Sequence, residues 1–167
     1  MKYVGIDVHK KMCQAAVLDE DGELLDQIRF LNEKEEIKDF AMKLLTFRDD
    51  VKAVVESTGN LWIQIHDILE KFGFEVSLSN PGKTRLIAEA KNKTDKVDAK
   101  ILARLLRADM LFTCYVPGEE IRNRREFLRH RLNLVKMRTM VKNRIHSLLD
   151  KYTLRSPHNS WTKKWVA

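Results

Sequence analysis

The chain has 167 residues, 44% hydrophobic and 33% charged, which is enough apolar material for one soluble domain plus an appendage and too much for a disordered chain. No apolar run approaches the roughly 20 residues of a membrane span, and the start MKYVGIDVHKK lacks the apolar block of a signal peptide, so a cytoplasmic protein with no membrane partner is expected. Two cysteines, Cys13 and Cys114, lack paired Cys or His spacing, which argues against a disulfide framework or a zinc site and makes them small core fillers.

In chain order, the alternating, β-branched stretch Lys2 to Val8 and the stretch Met12 to Leu18 predict a hairpin. Asp19 to Gly22 is a turn of the Asp-Gly type, and Glu23 to Leu31, with Leu25, Ile28 and Phe30, predicts a third antiparallel strand. A helical pattern runs from Glu33 to Phe47, Val51 to Glu56 reads as a short buried strand, Leu61 to Phe72 as a helix ended by Gly73, and Phe74 to Leu78 as another strand. Strand, helix, strand, helix favours parallel pairing by right-handed crossover, hence an α/β fold with a mixed sheet and flanking helices.

Asn80-Pro-Gly82 breaks the chain before a short helix from Arg85 to Ala90, and Thr94 is placed to cap the helix that follows. Stepping about 100° per residue, Val97, Ile101, Leu102, Leu105 and Leu106 fill one arc of that helix, and Lys96, Lys100, Arg104 and Arg107 the opposite side. Asp98 falls in the middle of the apolar arc, with Asp95 near its edge. After Pro117-Gly118, Ile121 to Tyr152 is one long helical pattern whose narrow apolar stripe suits a helical hairpin or coiled-coil partner. The divisions expected are a body over 1–116, an arm over 117–152 and a tail over 153–167.

Charge separates body from arm. Residues 121–151 hold ten Lys or Arg and two acids, a balance of +8, whereas residues 1–120 hold 18 basic and 22 acidic side chains, a balance of −4. A polyanion held by the arm is one explanation and a solvated basic helix face the other.

Asp7 lies inside the first strand, Glu56 ends a buried strand, and Asp95 and Asp98 share a helix; none sits on an obvious solvent face. Adjacent strands crossed by a helix could bring the four together. Clustered carboxylates repel one another and lose hydration, an objection that divalent cations remove. Oxygen-only ligation selects hard Mg²⁺ or Mn²⁺, and two such ions about 4 Å apart clamp the attacking and leaving oxygens in phosphodiester cleavage. Each acid also has a bland role open to it. Asp7 could end a ladder, Glu56 could cap the following helix, Asp95 could answer the helix dipole, and Asp98 could pair with Lys10, Lys11 or Lys93.

YVGIDVHK, VVESTGN, NPGKTRLIAEAKNKTDKVDAKILARLL and the basic LRHRLNLVKMRTMVKNRIHSLL together resemble the DEDD-type insertion-sequence transposases, the family that includes a pilin-gene-inverting recombinase. The likeness runs over nearly the whole chain, and KTDKVDA is its most specific piece. It implies an RNase H-like domain of the RuvC type at 1–116, with Asp7, Glu56, Asp95 and Asp98 at the four acidic metal-ligand positions and DNA as substrate. In well-studied relatives a structured guide RNA bridges target and donor DNA, and a second, C-terminal domain carries a serine implicated in strand exchange. This chain stops just after the basic helix, which implies an N-terminal recombinase fragment or a truncated copy, with 153–167 as the start of a missing region; no serine role is transferred to Ser156 or Ser160.

NPGKT follows a strand and precedes a helix, but a phosphate-binding loop needs glycine where Ser77 stands. Lys83 and Arg85 are instead either backbone contacts to nucleic acid or helix-flanking charges. Along the arm, Arg125, Arg129, Arg131, Lys136, Arg138, Lys142 and Arg144 are the candidate nucleic-acid contacts, and its stripe is the expected route to a homodimer or tetramer. The five histidines do not cluster in sequence. Two functions remain in competition: a metal-dependent transposase or recombinase, and a non-catalytic module that binds nucleic acid and dimerises.

Overall fold

The computed structural model describes residues 1–57, 59–87, 95–155 and 160–162, without the side chains of 85–87 and 95–97. The chain forms two compact units, Met1–Val116 and Pro117–Ala167.

The first unit is built on a mixed six-stranded sheet. The predicted hairpin forms from β1 (Lys2–Val8) and β2 (Met12–Leu18), antiparallel, with Tyr3 opposite Leu18 and Asp7 opposite Gln14. β3 (Leu24–Leu31) adds antiparallel to β2. The turn between them is held by Asp19, whose carboxylate accepts the backbone N–H groups of Asp21 and Glu23 at 3.0 and 2.8 Å, and by Gly22 at φ +88. After α1 (Lys34–Leu45), β4 (Val51–Glu56) pairs parallel to β1, and after α2 (Trp62–Lys71), β5 (Glu75–Ser79) pairs parallel to β4. α2 ends as expected at Gly73, φ +87, whose N–H reaches Glu70 O at 2.9 Å while that of Phe74 reaches Leu69 O at 3.1 Å. These two bonds satisfy orphan carbonyls of the last turn and keep Phe74 out of β5.

α3 (Pro81–Ile87) begins earlier than Arg85 because Asn80 caps it: the Asn80 side-chain oxygen accepts the Lys83 N–H at 3.2 Å, and Pro81 occupies the first position, where no N–H is needed. The expected end at Ala90 and the cap at Thr94 lie outside the described residues. α4 (Asp95–Arg107) follows, then β6 (Thr113–Cys114), antiparallel to β5. Two residues are too few to leave a periodic signature, so β6 has no sequence signal. The strand order is β3-β2-β1-β4-β5-β6, with β1 and β4 central.

Strand parity divides the core. Val4, Ile6 and Val8 on β1, Cys13, Ala15 and Val17 on β2, and Val51, Ala53 and Val55 on β4 face one way, against Ile37, Phe40 and Leu44 of α1 and Ile65 and Leu69 of α2. The opposite face carries Gly5, Ala16, Leu18 and Val54, and α4 lies on it. A Cβ at Gly5 would stand 2.1 Å from Ala99 O and 2.5 Å from Ala103 N, so only glycine lets the helix backbone come this close. The buried side of α4 is therefore Ala99, Leu102, Ala103 and Leu105, while Ile101 and Leu106 are half-buried. Leu102 and Leu105 of the expected apolar arc are buried, and Ala99 and Ala103 extend the contact to one side; at about 100° per residue the half-buried Asp98 lies between the two leucines.

The second unit contains α5 (Glu119–Lys151), 33 residues long with none buried. Gly118 precedes it, and Glu119 and Glu120 in the first turn complement the helix dipole. Phe127, Leu134, Val141 and Leu148 recur every seventh residue and are 71, 52, 59 and 44% exposed. Among the described residues no helix is long and apolar enough to cross a membrane.

Candidate active site

Ile6 and Val55 are partners on the parallel strands β1 and β4, so Asp7 and Glu56 follow one residue on, side by side at the carboxyl ends and on the face of Gly5 and Val54. That is the face covered by α4. The direction of α4 is fixed at both ends of the contact. Ala99 and Ala103 pack on Gly5, and at the far end the Arg107 guanidinium donates to Glu20 O at 3.0 Å, in the turn beyond β2. Since Leu18 of β2 lies opposite Tyr3, that turn is at the amino end of β1. α4 thus runs antiparallel to β1 and carries its first turn, with Asp98, to the edge that Asp7 and Glu56 occupy. Asp95 opens the same turn of α4; its side chain lies outside the described residues.

Asp7 is 5% exposed, and its Oδ2 is 3.1 Å from Nε2 of the half-exposed His9. Glu56 and Asp98 are half-buried, and neither accepts a hydrogen bond from or forms an ion pair with a described residue. The bland roles fare accordingly. Among the described residues Lys10 and Lys11 do not pair with Asp98, Lys93 lies outside them, and α2 is capped at Leu61 with no side-chain bond from Glu56. Beside Glu56 on β5, Ser79 is fully buried with its hydroxyl 2.7 Å from that of Thr84. The carboxylates at this edge offer anionic oxygen donors, which suit a hard divalent cation, with the His9 Nε2 nitrogen beside them.

Among the described residues, Asp7, Glu56 and Asp98 share this edge without closing into a tight three-ligand group. The set that does close is His66, Asp67 and Glu70, with ligand atoms within 4.8 Å of one another. It belongs to α2, on the other side of the sheet, where His66 Nδ1 is already 3.2 Å from Asp67 and the ring meets Trp62 edge-on at 5.7 Å. Cys13, opposite Val8 on that same side, has its thiol pushed up to about 12 by burial and then by the Asp7 charge. It stays protonated at neutral pH and is a core filler, since only the thiolate acts as nucleophile or ligand.

Two polar neighbours of Asp7 escaped the sequence reading. His9 stands just past the end of β1 with its ring at the Asp7 carboxylate; Gln14 stands opposite Asp7 on β2. Strand alternation carries the signal for Gln14, and a search for clustered histidines passes over one that stands alone in sequence.

Lys83 is exposed with its ammonium 5.1 Å from the centre of the Phe112 ring, and the side chain of Arg85 lies outside the described residues. On α5, Arg125, Arg129, Arg131, Lys136, Arg138 and Arg144 are exposed, whereas Lys142 is half-buried over the Trp161 ring, whose indole N–H meets His146 at 2.9 Å.

Residues 4–154 match the family model of the IS110-type DEDD transposases. The chain is 34% identical over 135 residues to the transposase for insertion sequence element IS1533 of Leptospira borgpetersenii, an alignment covering 79% of this chain and 38% of that relative. It thus spans well under half of the relative's length. The fold is similar to the Thermus thermophilus RuvC structure, with a TM-score of 0.51 and 14% identity over 68% of this chain and 100% of that one, which makes the domain RuvC-like and RNase H-like as expected. On the family match and the IS1533 relative, the chain belongs to the DEDD transposases of the IS110 type.

Proposed function

We propose that the chain performs metal-dependent phosphodiester chemistry on DNA, as a transposase or site-specific recombinase, with Asp7, Glu56, Asp95 and Asp98 holding two Mg²⁺ or Mn²⁺ ions. The observation that carries this is the antiparallel docking of α4 on Gly5, which brings Asp98 to the sheet edge shared by Asp7 and Glu56. When bound, two such ions would stabilise the charge on the attacking and leaving oxygens of an in-line displacement. The chain's own part is positional: strand ends and a helix packed on backbone hold the carboxylates in place, and the half-buried setting limits competing water.

The second unit supports a role in assembly and grip. A 33-residue helix with no buried residue, and an apolar position every seventh residue, is a seam awaiting another helix, supplied by a second copy in a homodimer or tetramer. Its exposed arginines and lysines would hold phosphates of DNA or, following the family resemblance, of a structured guide RNA, in the cytoplasm.

Titration with Mn²⁺ and a DNA-nicking assay on wild type and Asp98→Asn test the proposal. Weakened Mn²⁺ binding and lost nicking in the variant are expected; equal behaviour would favour the non-catalytic binding module. If the arm grips phosphates, log affinity for DNA should fall linearly with log salt, by about 0.9 per phosphate contacted on a duplex. A flat response would make the partner of α5 a protein alone.

A further inference from the structure

Resting on the metal site proposed above, we infer that Gln14 supplies a neutral oxygen ligand to the cation held by Asp7. Gln14 is the cross-strand partner of Asp7 on β2, and directly opposed residues project to the same face with Cβ atoms roughly 4.5–5.5 Å apart. That separation lets an amide and a carboxylate oxygen meet on one ion. The other members of this β2 face, Met12, Ala16 and Leu18, are apolar, the first half-buried and the last two fully buried. Only the position facing Asp7 is polar.

Gln14 is itself just 6% exposed, and its hydrogen bonding is poor. The side-chain N–H reaches its own neighbour's carbonyl, Ala15 O, at 3.5 Å, the outer limit of a bond, and Oε1 accepts nothing from a described residue. Among the described residues no side-chain nitrogen or oxygen is both buried and unpartnered, so Oε1, which has no donor among them, is open to solvent or to an ion rather than sealed in the core. A hard cation beside Asp7 supplies what the oxygen lacks. Mg²⁺ and Mn²⁺ accept amide carbonyl oxygens alongside carboxylates, and a neutral donor raises the ligand count without adding to the repulsion among the acids.

The test uses the full chain with Mn²⁺, and with Tb³⁺ as a luminescent probe whose lifetimes in H₂O and D₂O count bound waters. Gln14→Leu, and Gln14→Met as the variant closest in length, should bind Mn²⁺ about 10- to 100-fold more weakly and show one more water on Tb³⁺. Gln14→Glu, which restores an oxygen, should recover affinity. In EDTA neither apolar variant should melt far below wild type, because the one side-chain bond lost, to Ala15 O at 3.5 Å, is at the outer limit of a hydrogen bond. Wild-type affinity and water count in Gln14→Leu and Gln14→Met would overturn the assignment. Asp7→Asn separates the two levels: if it loses Mn²⁺ while the Gln14 variants do not, Gln14 alone is excluded, and if it too binds normally, the metal site falls with it.

Discussion

Glu56→Gln should lower DNA cleavage by at least about 10³-fold, the equivalent of several kcal/mol of charge stabilisation at the reacting phosphate, yet leave the melting temperature in EDTA unchanged or slightly raised. The two effects have opposite signs because Glu56 engages no partner among the described residues and stands beside Asp7 at the ends of parallel strands. Removing its charge breaks no bond and relieves repulsion. A structural acid does the reverse: its amide costs stability and spares the reaction. Thermal melts and single-turnover cleavage on the same preparation decide between them, and a destabilised but fully active Glu56→Gln would remove Glu56 from the metal site.

Gly5→Ala should be the most damaging single methyl group in the first unit. The added Cβ would lie 2.1 Å from Ala99 O, 2.5 Å from Ala103 N and 2.9 Å from the Leu102 Cβ, and the first two are backbone atoms that no rotamer change can move. Overpacking of a close interface costs about 1–3 kcal/mol, more when backbone must shift; here about 3 kcal/mol or more is expected, read from the urea midpoint. Trimming Ala99 to glycine should not rescue the variant, since the clash is with its carbonyl. Mn²⁺ affinity should fall in step with stability, because α4 carries Asp98. A Gly5→Ala protein with wild-type midpoint and metal binding would mean that α4 does not pack as described.

The sheet and most helices were legible because their signals are local. Alternation in β1 and β2, the Asp19–Gly22 turn and the Gly73 stop each act within a few residues. The core face followed from the same alternation. What could not be read depends on contacts distant in sequence. The buried side of α4 includes the expected Leu102 and Leu105, but its closest approach to the sheet uses Ala99 and Ala103, a choice visible only once Gly5 is known to lie beneath them. The edge strand β6 is defined by its pairing with β5 and by nothing in its own two residues. For the candidate site, Asp7, Glu56 and Asp98 stood out as acids on otherwise apolar elements, while His9 and Gln14 acquire meaning only from their places beside Asp7.

The union of Gly5 with Ala99 also sets a timetable for biosynthesis. Chains emerge from the ribosome amino end first, and contacts between remote segments bear a loop-closure cost that delays them. Until α4 has been translated, the sheet surface formed by Ala16, Leu18 and Val54 is bare, and Asp7 and Glu56 stand without the helix that completes their edge. The nascent polypeptide therefore passes through a stage that is sticky, and the acidic edge is assembled only after nearly the whole first unit has been made.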